Sequence, residues 1–409
     1  MVIRPYRRCS DKDAVVQVWH DCGWIDKTEE DAVCDMDGWL DSCSAFVGES
    51  RGNAECLVTI HEGALSYNHV EIPLAGVTGV ATGHAGRKQG LAGDVTAHAL
   101  AETASRLPVA ALGMFEQGFY DRLGFGTGPY ERHVHFDPAN LKVSVKPRPP
   151  VRISADDCLE AHENRLRTPR RHGGQVINDA GWTCFRMRRS TRGFGLGYRG
   201  DDGRLTHHLW LMERKGWNGP LRVQWYAYET LGGFMELMAL LKALGDQVRT
   251  VAMREPPGIH LQDLMRYPRR DMTVREQGEH AVDIESFAHW QARINDLERC
   301  IAATRLERDP VVFNLTLNDP IERHLFEHGW KGAAGDYIVT VGRESHAEPG
   351  SKPGLPHVTA TVNAFTRMWL GVLPATTLAV TDRLSGPDDL LKRLDEVFCL
   401  PTPRTAWSF

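Results

Sequence analysis

The sequence predicts a mixed α/β fold, of the α+β type, that is divided over two to three domains. Its 409 residues exceed a single simple core, at roughly 150 residues per domain. Strand-like and helix-like runs alternate through the first third of the chain. The Pro-rich, basic stretch VKPRPPVR after Leu141 has the composition of a linker. These observations favour domains over residues 1–142, 143–278 and 279–409.

The composition argues against several classes of protein. Lys and Arg total 48 against 53 for Asp and Glu, and the net charge of −5 disfavours a generally basic nucleic-acid binder. No apolar run reaches the ~18 residues of a membrane span, and the N-terminal segment lacks a signal-peptide core. We therefore expect neither a nucleic-acid nor a membrane partner. Nine cysteines without a CxxC pair disfavour a disulfide framework or a zinc cage. Cys184 and the other thiols are expected to be buried and unpaired, in a cytoplasmic protein.

The first domain alternates strands with helices. Ser10 and Asp13 form an S-x-x-D capping signal that predicts the start of the helix AVVQVWHDC. Apolar residues repeat at helical spacing from Leu91 until Pro108 ends the run. A brief helix and turn are predicted over QGFYDRLGFG. Short β-branched or apolar runs predict the strands VIRPYR, SAFVGE, ECLVTIHE, VEIPLAGVTGVAT, VAALGMF and YERHVHF.

The middle of the chain repeats this kind of order. A helix is expected around Asp157–Leu166, and strand-like runs follow near Trp182–Arg188, Gly195–Arg199, Leu205–Glu213 and Leu221–Tyr228. The amphipathic helix GGFMELMALLKALGDQ and the strand VRTVAMRE complete a degenerate structural repeat of the first domain.

The last third has its own pattern. FNLTLND and DYIVTVGRE predict strands, and FTRMWLG, TTLAVTDRLSG and PDDLLKRLDEVF predict helices. The closing segment, PTPRTAWSF, is apolar and stiffened by proline, whereas an exposed tail would be polar. We expect this segment to be packed against the protein.

The most informative stretch joins a strand to a helix through a glycine-rich turn. The strand ends at Thr82, the turn carries Arg87 and Lys88, and the helix begins near Leu91. The free N–H groups and the dipole of a helix N-terminus attract anions, and a pyrophosphate fits such a turn. The pattern is neither G-x-x-x-x-G-K-[ST] nor G-x-G-x-x-G, which disfavours P-loop and nicotinamide sites. A glycine-rich turn with solvated basic residues is the alternative.

The turn and a second motif resemble the GNAT superfamily of acetyltransferases. Arg87-x-x-Gly90-x-Ala92 is similar to the R/Q-x-x-G-x-G/A motif that binds acetyl-coenzyme A in that superfamily. LGMFEQGFYDRLGFG places Tyr120 on the short helix that follows a strand. A phenol with a pKa of about 10 stays protonated at neutral pH and can donate to a leaving thiolate. Tyr120 is thus the candidate general acid, and a core aromatic residue is the alternative.

The resemblance is closest to the Eis ("enhanced intracellular survival") family. It rests on AGVTGVATGHAGRKQGLAG, VAALGMFEQGFYDRLGFG and the terminal TAWSF. It implies an active GNAT domain, a second GNAT-like domain and a C-terminal domain of sterol-carrier-protein fold, assembled as hexamers. It also implies an N-acetyltransferase that uses acetyl-coenzyme A, without a metal, to acetylate amines of aminoglycosides and some lysine side chains.

The resemblance assigns a role to particular residues. Tyr120 would be the general acid, and the C-terminal carboxylate of Phe409 would be the general base. Relatives often carry three consecutive arginines in the turn, and a serine at the position of Phe115. The cofactor contacts implied are Val80, Ala81 and Thr82 for the pantetheine arm, Arg87, Lys88, Gln89, Gly90, Leu91, Ala92 and Gly93 for the pyrophosphate, and Phe115 and Glu116 beside the cofactor.

Other interpretations stay open at this stage. The acceptor amine could belong to a protein lysine, or the chain could be a non-catalytic protein that binds a lipid through its last domain. His133-x-His135 has a spacing that can bind metal, but no third ligand is evident, which favours a solvated or core pair. The acidic residues of segment 24–50 could attract a polycationic amine or simply face solvent.

Overall fold

The chain folds into two compact units. The computed structural model describes residues 2–26, 30–190, 192–213, 220–267, 283–325, 328–405 and 407. One unit comprises Met1–Pro129, Arg171–Asp179 and Ala288–Phe409, and the other comprises Tyr130–Arg170 and Ala180–Phe287. Both combine mixed sheets with helices, which confirms the predicted fold class. Within the described ranges, no helix is long and apolar enough to cross a membrane.

The elements follow one another in three stretches. Those up to residue 129 are β1 (Val2–Pro5), α1 (Arg8–Asp21), α2 (Glu30–Leu40), β2 (Ser44–Ser50), β3 (Asn53–Tyr67), β4 (Val70–Thr82), α3 (Leu91–Thr103), β5 (Val109–Gly113), α4 (Gln117–Asp121) and β6 (Gly126–Thr127). Those of the middle are β7 (Glu131–Phe136), β8 (Val151–Ile153), α5 (Cys158–Arg167), β9 (Gln175–Ile177), α6 (Gly181–Arg188), β10 (Gly193–Arg199), β11 (Leu205–Glu213), β12 (Leu221–Tyr228), α7 (Leu231–Ala243), β13 (Val251–Arg254) and β14 (Ile284–Phe287). Those of the last part are β15 (Trp290–Ile294), α8 (Leu297–Ala302), β16 (Val311–Asn318), β17 (Gly335–Val341), β18 (His346–Pro349), β19 (His357–Thr361), α9 (Val362–Trp369), α10 (Ala375–Thr381), β20 (Leu384–Ser385) and α11 (Asp388–Val397).

The first unit is built on two sheets. The larger has the order β1-β2-β3-β4-β5-β15-β6, with β9 paired to β3, and the smaller has the order β18-β17-β16-β19-β20. β15 comes from the last part of the chain, yet it pairs with both β5 and β6 in the larger sheet. Both sheets contribute to one apolar core. In that core Tyr67 of β3 stacks on Trp369 of α9 at 4.6 Å and donates a hydrogen bond to the Trp369 carbonyl.

The second unit is built on one sheet, of order β14-β7-β13-β12-β11-β10-β8. β12 and β13 are parallel, and the other recorded pairs are antiparallel. α7 covers the sheet because Phe234, Leu237 and Leu241 repeat at helical spacing and are buried against Leu209 and Leu211. The strands predicted near Gly195–Arg199, Leu205–Glu213 and Leu221–Tyr228 are all present in this sheet.

Three local expectations were wrong. α1 begins at Arg8 with no side-chain cap, and Ser10 lies inside the helix. Asp11 takes the place of the predicted signal, because its carboxylate accepts a hydrogen bond from the amide of Arg7 at 2.7 Å. Residues 182–188 form α6 and not a strand, since Thr183, Cys184 and Met187 are buried on one helical face.

The third error concerns the cysteines. Cys158 and Cys184 form a disulfide between α5 and α6, although Cys184 was expected to be unpaired. The two cysteines are separated by 26 residues, and only the packing of the two helices brings them together. Spacing along the sequence carries no signal of this kind, because neither residue belongs to a recognised cysteine motif.

Candidate functional site

The site is centred on the end of β4, where this strand separates from β5. The two strands pair in parallel from Leu74–Val77 to Val109–Leu112. Immediately afterwards the register between β3 and β4 shifts, and Gly79 adopts a positive φ of 61°. This bulge bends β4 before the strand continues to Thr82. β4 therefore ends in a segment, Val80, Ala81 and Thr82, that pairs with β3. The other edge of this segment, toward β5, can form hydrogen bonds with a ligand that contains amide groups.

The glycine-rich turn follows at once and leads into α3. A short 3-10 turn spans His84–Gly86, and the helix begins at Leu91 with Gly90 at its N-cap. The carbonyl of Gly90 accepts hydrogen bonds from the amides of Gly93 and Asp94. The amides of Leu91 and Ala92 belong to the first helical turn, whose N–H groups have no intrahelical acceptor. The strand, turn and helix predicted from sequence are thus present in that order.

The backbone of this turn needs glycine at two positions. Gly90 has a φ of 83°, so a side chain there would be strained by the backbone alone, while an added Cβ would make an ordinary contact of 3.7 Å with Asp94 Oδ2. At Gly86 an added Cβ would lie 2.8 Å from the Cβ of Glu55. Lys88 also has a positive φ, of 62°, although it is not glycine. Such conformations cluster at ligand-binding sites.

The charged residues of the turn are exposed. Arg87 and Lys88 are both at the surface, where their cations can approach an anion held by the helix N-terminus. Gln89 has a different task, because its side chain braces the turn. It donates a hydrogen bond to the carbonyl of Ala85 at 2.7 Å and accepts one from the Ser50 hydroxyl at 3.0 Å. Glutamine in place of a third basic residue thus contributes hydrogen bonds within the loop.

Tyr120 lies on α4, directly after β5. The Glu116 carboxylate caps this helix by accepting hydrogen bonds from the amides of Gly118 and Phe119. Tyr120 is only 7% exposed, and burial raises the pKa of its phenol to about 12. The phenol therefore keeps its proton throughout the physiological pH range. Phe115, by contrast, is 97% exposed, so its ring is available to a ligand.

One apolar cluster contains members of all three motifs. Val80 of β4, Leu91 and Ala92 of α3, and Tyr120 of α4 pack in this same cluster. The structure thus brings the predicted strand end, helix start and tyrosine together. Phe409, the other predicted catalytic residue, lies outside the described residues.

The described part of the C-terminal segment is packed, as its composition predicts. Trp407 and Thr405 are 2% and 3% exposed, and the Thr405 hydroxyl donates a hydrogen bond to the Trp407 carbonyl. The amide of Arg404 donates to the carbonyl of His172, and Pro403 lies where a Cβ of Gly173 would be. These two partners immediately precede β9, which pairs with β3. The described part of the chain end is therefore held against the segment that leads into β9.

Sequence reasoning missed an aromatic cluster beside the β4 bulge. Trp39 touches the bulge, since an added Cβ on Gly79 would lie 2.5 Å from its ring. Trp39 contacts Trp19 at 4.9 Å between centroids and His61 at 5.7 Å. Burial lowers the pKa of His61 to about 4, so its imidazole is neutral at pH 7. The only sequence signal was the density of tryptophans in segment 19–39.

The acidic residues of segment 24–50 are partly neutralised. Asp37 is buried and forms ion pairs with Lys12 at 2.6 Å and Arg8 at 2.9 Å. Arg8 also pairs with Asp41, at 3.2 Å. The side chains of Glu29, Glu30 and Asp31 lie outside the described part of the chain. Asp37 and Asp41 are therefore structural partners of cations from α1, which weakens the acidic attraction expected from composition.

The histidines of β7 have separate environments. His133 stacks on Phe287 of β14 at 5.0 Å, and burial lowers its pKa to about 4. His135 instead contacts the carboxylate of Asp283 at 2.5 Å. The two imidazoles thus have different partners, which agrees with the structural interpretation of the pair.

Comparisons with known proteins agree with this geometry. Residues 3–128 match the family described as "Acetyltransferase (GNAT) domain", and residues 280–407 match "Sterol carrier protein domain". No curated protein sequence matches the chain.

Solved structures share the fold over the full length of the chain. A probable N-acyltransferase of unknown function from Enterococcus faecalis is similar with a TM-score of 0.80 and 17% identity, over 100% of this chain and 99% of that chain. Eis1 from Mycobacterium abscessus has a TM-score of 0.75 and 15% identity, over 100% of both chains. A GCN5-related N-acetyltransferase from Kribbella flavida has a TM-score of 0.73 and 18% identity, over 100% and 98%.

Proposed function

The chain is an acyltransferase that joins a GNAT acetyltransferase domain to a C-terminal sterol carrier protein domain, as Eis-like proteins do, and we propose on this basis that it acetylates a primary amine of a small polyamine or aminoglycoside-like molecule. Acyl-coenzyme A chemistry follows from the GNAT domain, and acetyl-coenzyme A is the cosubstrate we propose. The observation that carries the proposal is the separation of β4 from β5 beside the glycine-rich turn and Tyr120.

The cosubstrate would bind in an extended conformation that runs from β4 to the start of α3. Val80, Ala81 and Thr82 would pair with the amides of the pantetheine arm along the free edge of β4. The amides at the start of α3, with Arg87 and Lys88, would hold the pyrophosphate through charge-assisted hydrogen bonds of about 1.5–3 kcal/mol each. Gly93 lets α3 pack closely, Gln89 braces the loop, and Phe115 and Glu116 would line the far side.

The reaction moves two protons away from the amine nitrogen. The ammonium first gives one proton to a general base, and the neutral amine then attacks the thioester carbonyl. The new nitrogen loses its second proton as the C–S bond breaks and the thiolate leaves. Tyr120 donates its proton to the thiolate and is then reprotonated by one of the two protons that the nitrogen released. One proton therefore ends on the thiol, and the other is released to solvent.

The C-terminal carboxylate of Phe409 is the general base that we propose. The packing of Thr405 and Trp407 supports this assignment, because it fixes the segment two residues before the chain end. A free α-carboxyl has a pKa of about 3.3–3.7 and is a weak base in water. Partial burial in the site would raise that pKa and strengthen the base.

A small polyamine is the first candidate acceptor, because the resemblance to the Eis family implies such substrates. The aromatic cluster of Trp19, Trp39 and His61 beside the bulge is fully buried, so its rings support β4 from within and do not contact the acceptor. A protein lysine is the second candidate acceptor, since it presents the same primary amine.

A competition assay distinguishes the two acceptors. The native protein would be given acetyl-coenzyme A with equal concentrations of an aminoglycoside, a linear polyamine and a lysine-containing peptide, and the products would be identified by mass spectrometry. We expect the small polyamines to be acetylated at least tenfold faster than the peptide. A faster reaction on the peptide would replace this substrate class with protein lysines.

We also propose, from the resemblance to the Eis family, that the protein assembles as a homo-hexamer. Multi-angle light scattering coupled to size-exclusion chromatography measures this directly. For a chain of 45.8 kDa, a mass of six chains is expected, and a monomer would contradict the assignment.

A further inference from the structure

A row of polar side chains on α3 faces the segment that follows β16. Asp94, His98 and Glu102 are spaced four residues apart, which places them on one face of the helix. Opposite them, His324 contacts the Asp94 carboxylate at 2.6 Å, and a nitrogen of His328 lies 3.0 Å from Nδ1 of His98. These residues all belong to the first unit. None of them belongs to the transfer site described above.

His98, Glu102 and His328 converge closely enough to share one ion. One ligand atom from each residue, either an imidazole nitrogen or a carboxylate oxygen, lies within 4.8 Å of the other two. Two nitrogens that each bind zinc at about 2.0–2.1 Å in tetrahedral geometry are about 3.4 Å apart. A small outward movement of the two imidazoles from 3.0 Å therefore suffices. We propose that His98, Glu102 and His328 form a binding site for a divalent transition-metal ion of the zinc class.

The residues around the His98 imidazole favour metal binding. The edge of the His98 ring packs against Phe46 at 5.4 Å, which limits its rotation. Glu102 is exposed and contributes a negative charge that offsets part of the charge of the ion.

The donor set identifies the class of ion. Two imidazoles and one carboxylate suit zinc and related first-row metals, whereas magnesium and calcium prefer oxygen ligands alone. Three protein ligands leave a fourth coordination position for water, because Glu102 lies at the surface. The i, i+4 spacing of His98 and Glu102 on one helix is a common arrangement for two ligands of one ion.

The position of the site suggests a structural role. α3 begins at the glycine-rich turn, and His328 belongs to the part of the chain that supplies the smaller sheet of the same unit. His324, four residues before His328, lies 3.0 Å from where a Cβ of Gly93 would be. An ion would thus tie this segment to the helix that opens the cosubstrate turn, and it would stabilise the unit by binding only its folded form.

The test measures binding of zinc alone to the full chain. The protein would be stripped with a chelator, and zinc would be titrated in competition with a chromophoric chelator, for the native chain and for the His328→Ala variant. Removal of supporting groups around metal ligands already costs 10–100-fold in affinity, so loss of a ligand should cost about 100-fold or more. We expect one tight equivalent in the native chain, a higher melting temperature with zinc, and loss of both in the variant.

Two further variants keep the test decisive. Glu102→Gln changes an exposed side chain and preserves its shape, so weakened binding there cannot be ascribed to misfolding. His346→Ala removes an exposed histidine of β18 from the same part of the chain and should bind zinc like the native protein. The proposal is overturned if the native chain binds no zinc at micromolar concentration, or if the His328→Ala and Glu102→Gln variants both bind it as tightly as the native chain.

Discussion

At the scale of single residues, Tyr120 is the general acid that we propose. Its phenol is buried among Phe119 and Phe125, at 4.9 and 6.1 Å between ring centroids, and it belongs to the same apolar cluster as the start of α3. A buried phenol that keeps its proton suits donation to a leaving thiolate. The helix that carries it is fixed by the Glu116 cap, so the direction of the donor is set before the substrates arrive.

The Tyr120→Phe variant tests this role. It should lower kcat by about 10²–10⁴-fold, the usual contribution of a general acid, because the thiolate must then leave without a proton donor. The KM for acetyl-coenzyme A should change little, since the turn is intact. Steady-state kinetics with thiol detection measures both values. Tyr267→Phe, at an exposed tyrosine of the second unit, is the control, and an unchanged kcat in Tyr120→Phe would remove this residue from the mechanism.

The raised pKa of Tyr120 also predicts the shape of the pH–rate profile. The active form is the protonated phenol, and burial raises its pKa from 10.0 to about 12, so the active form persists to higher pH than for an exposed tyrosine. We expect kcat to show no decline from ionisation of this group up to about pH 10.5. A decline with an apparent pKa near 10 or below, absent from Tyr120→Phe, would contradict this environment.

Sequence reasoning identified the residues that belong to contiguous motifs. Arg87, Lys88 and Gly90 occupy one turn, and Tyr120 occupies one short helix, so local patterns were sufficient. Trp39 and His61 were missed because they meet at the β4 bulge only through long-range packing. His98 and His328 were missed for the same reason, since 230 residues separate them.

At the scale of elements, the cosubstrate site that we propose consists of β4, the glycine-rich turn and α3. The positive φ of Gly90 sets the direction in which the chain enters the helix. The nearest atom to an added Cβ at Gly90 is Asp94 Oδ2, at an ordinary contact distance of 3.7 Å, so a substitution there acts mainly through the backbone. This position therefore allows a clean test of the turn.

The Gly90→Ala variant should raise the KM for acetyl-coenzyme A by about tenfold, because an alanine in this left-handed conformation costs about 1–2 kcal/mol and shifts the first amides of α3. Gly203→Ala is the matched control: Gly203 has a φ of 79°, with nothing within 4 Å of an added Cβ, in a turn of the second unit. Both variants should lose similar stability in thermal unfolding, and only Gly90→Ala should weaken the cosubstrate. Equal KM values in the two variants would show that the turn does not bind it.

Element prediction succeeded where a pattern was long and failed where it was short. β4 and α3 were recognisable because β-branched or helical periodicity continues over 13 residues, whereas ECLVTIHE predicted only the middle of β3, which spans 15 residues. α6 spans eight residues, in which apolar Trp182 and Cys184 alternate with polar ones and imitate a strand. The start of α1 was misplaced because Asp11, and not Ser10, receives the backbone amide.

At the scale of the whole molecule, the last part of the chain completes the first. β15 pairs with β5 and β6, and its Arg293 forms a fully buried ion pair with Asp319 at 2.6 Å. Arg293 also donates a hydrogen bond to the carbonyl of Leu123, immediately after α4. The segment that follows the Tyr120 helix therefore depends on a residue 170 positions later. No sequence pattern predicts the pairing of β15 with β5 and β6, because strand order within a sheet depends on long-range contacts.

The Arg293→Met variant should lower the free energy of unfolding by about 3–5 kcal/mol, because it leaves the Asp319 carboxylate buried without its cation. Arg343→Met is the control, since Arg343 pairs with Glu307 at the surface, where 78% and 89% of the side chains are exposed, and should cost at most about 1 kcal/mol. Denaturant unfolding measures both changes. Equal stabilities of the two variants would contradict the importance of the buried pair.

The packed C-terminal segment gives another prediction at this scale. Addition of a few residues after Phe409 converts its α-carboxylate, the general base that we propose, into a peptide bond. The extended protein should lose at least about 100-fold in kcat, the typical contribution of a general base. Addition of the same residues before Met1 is the control. Full activity of the C-terminally extended protein would assign the base to another group.

Acetyl transfer to an amine is tested directly by the thiol that the reaction releases. The rate of thiol release from acetyl-coenzyme A would be followed with the native protein and a panel of aminoglycosides and polyamines, and the products would be weighed by mass spectrometry. We predict one thiol released for each N-acetyl group formed, and no release without amine. Absence of release with every amine, together with a lipid extracted from the purified protein, would contradict it and identify a lipid-binding protein without transferase activity.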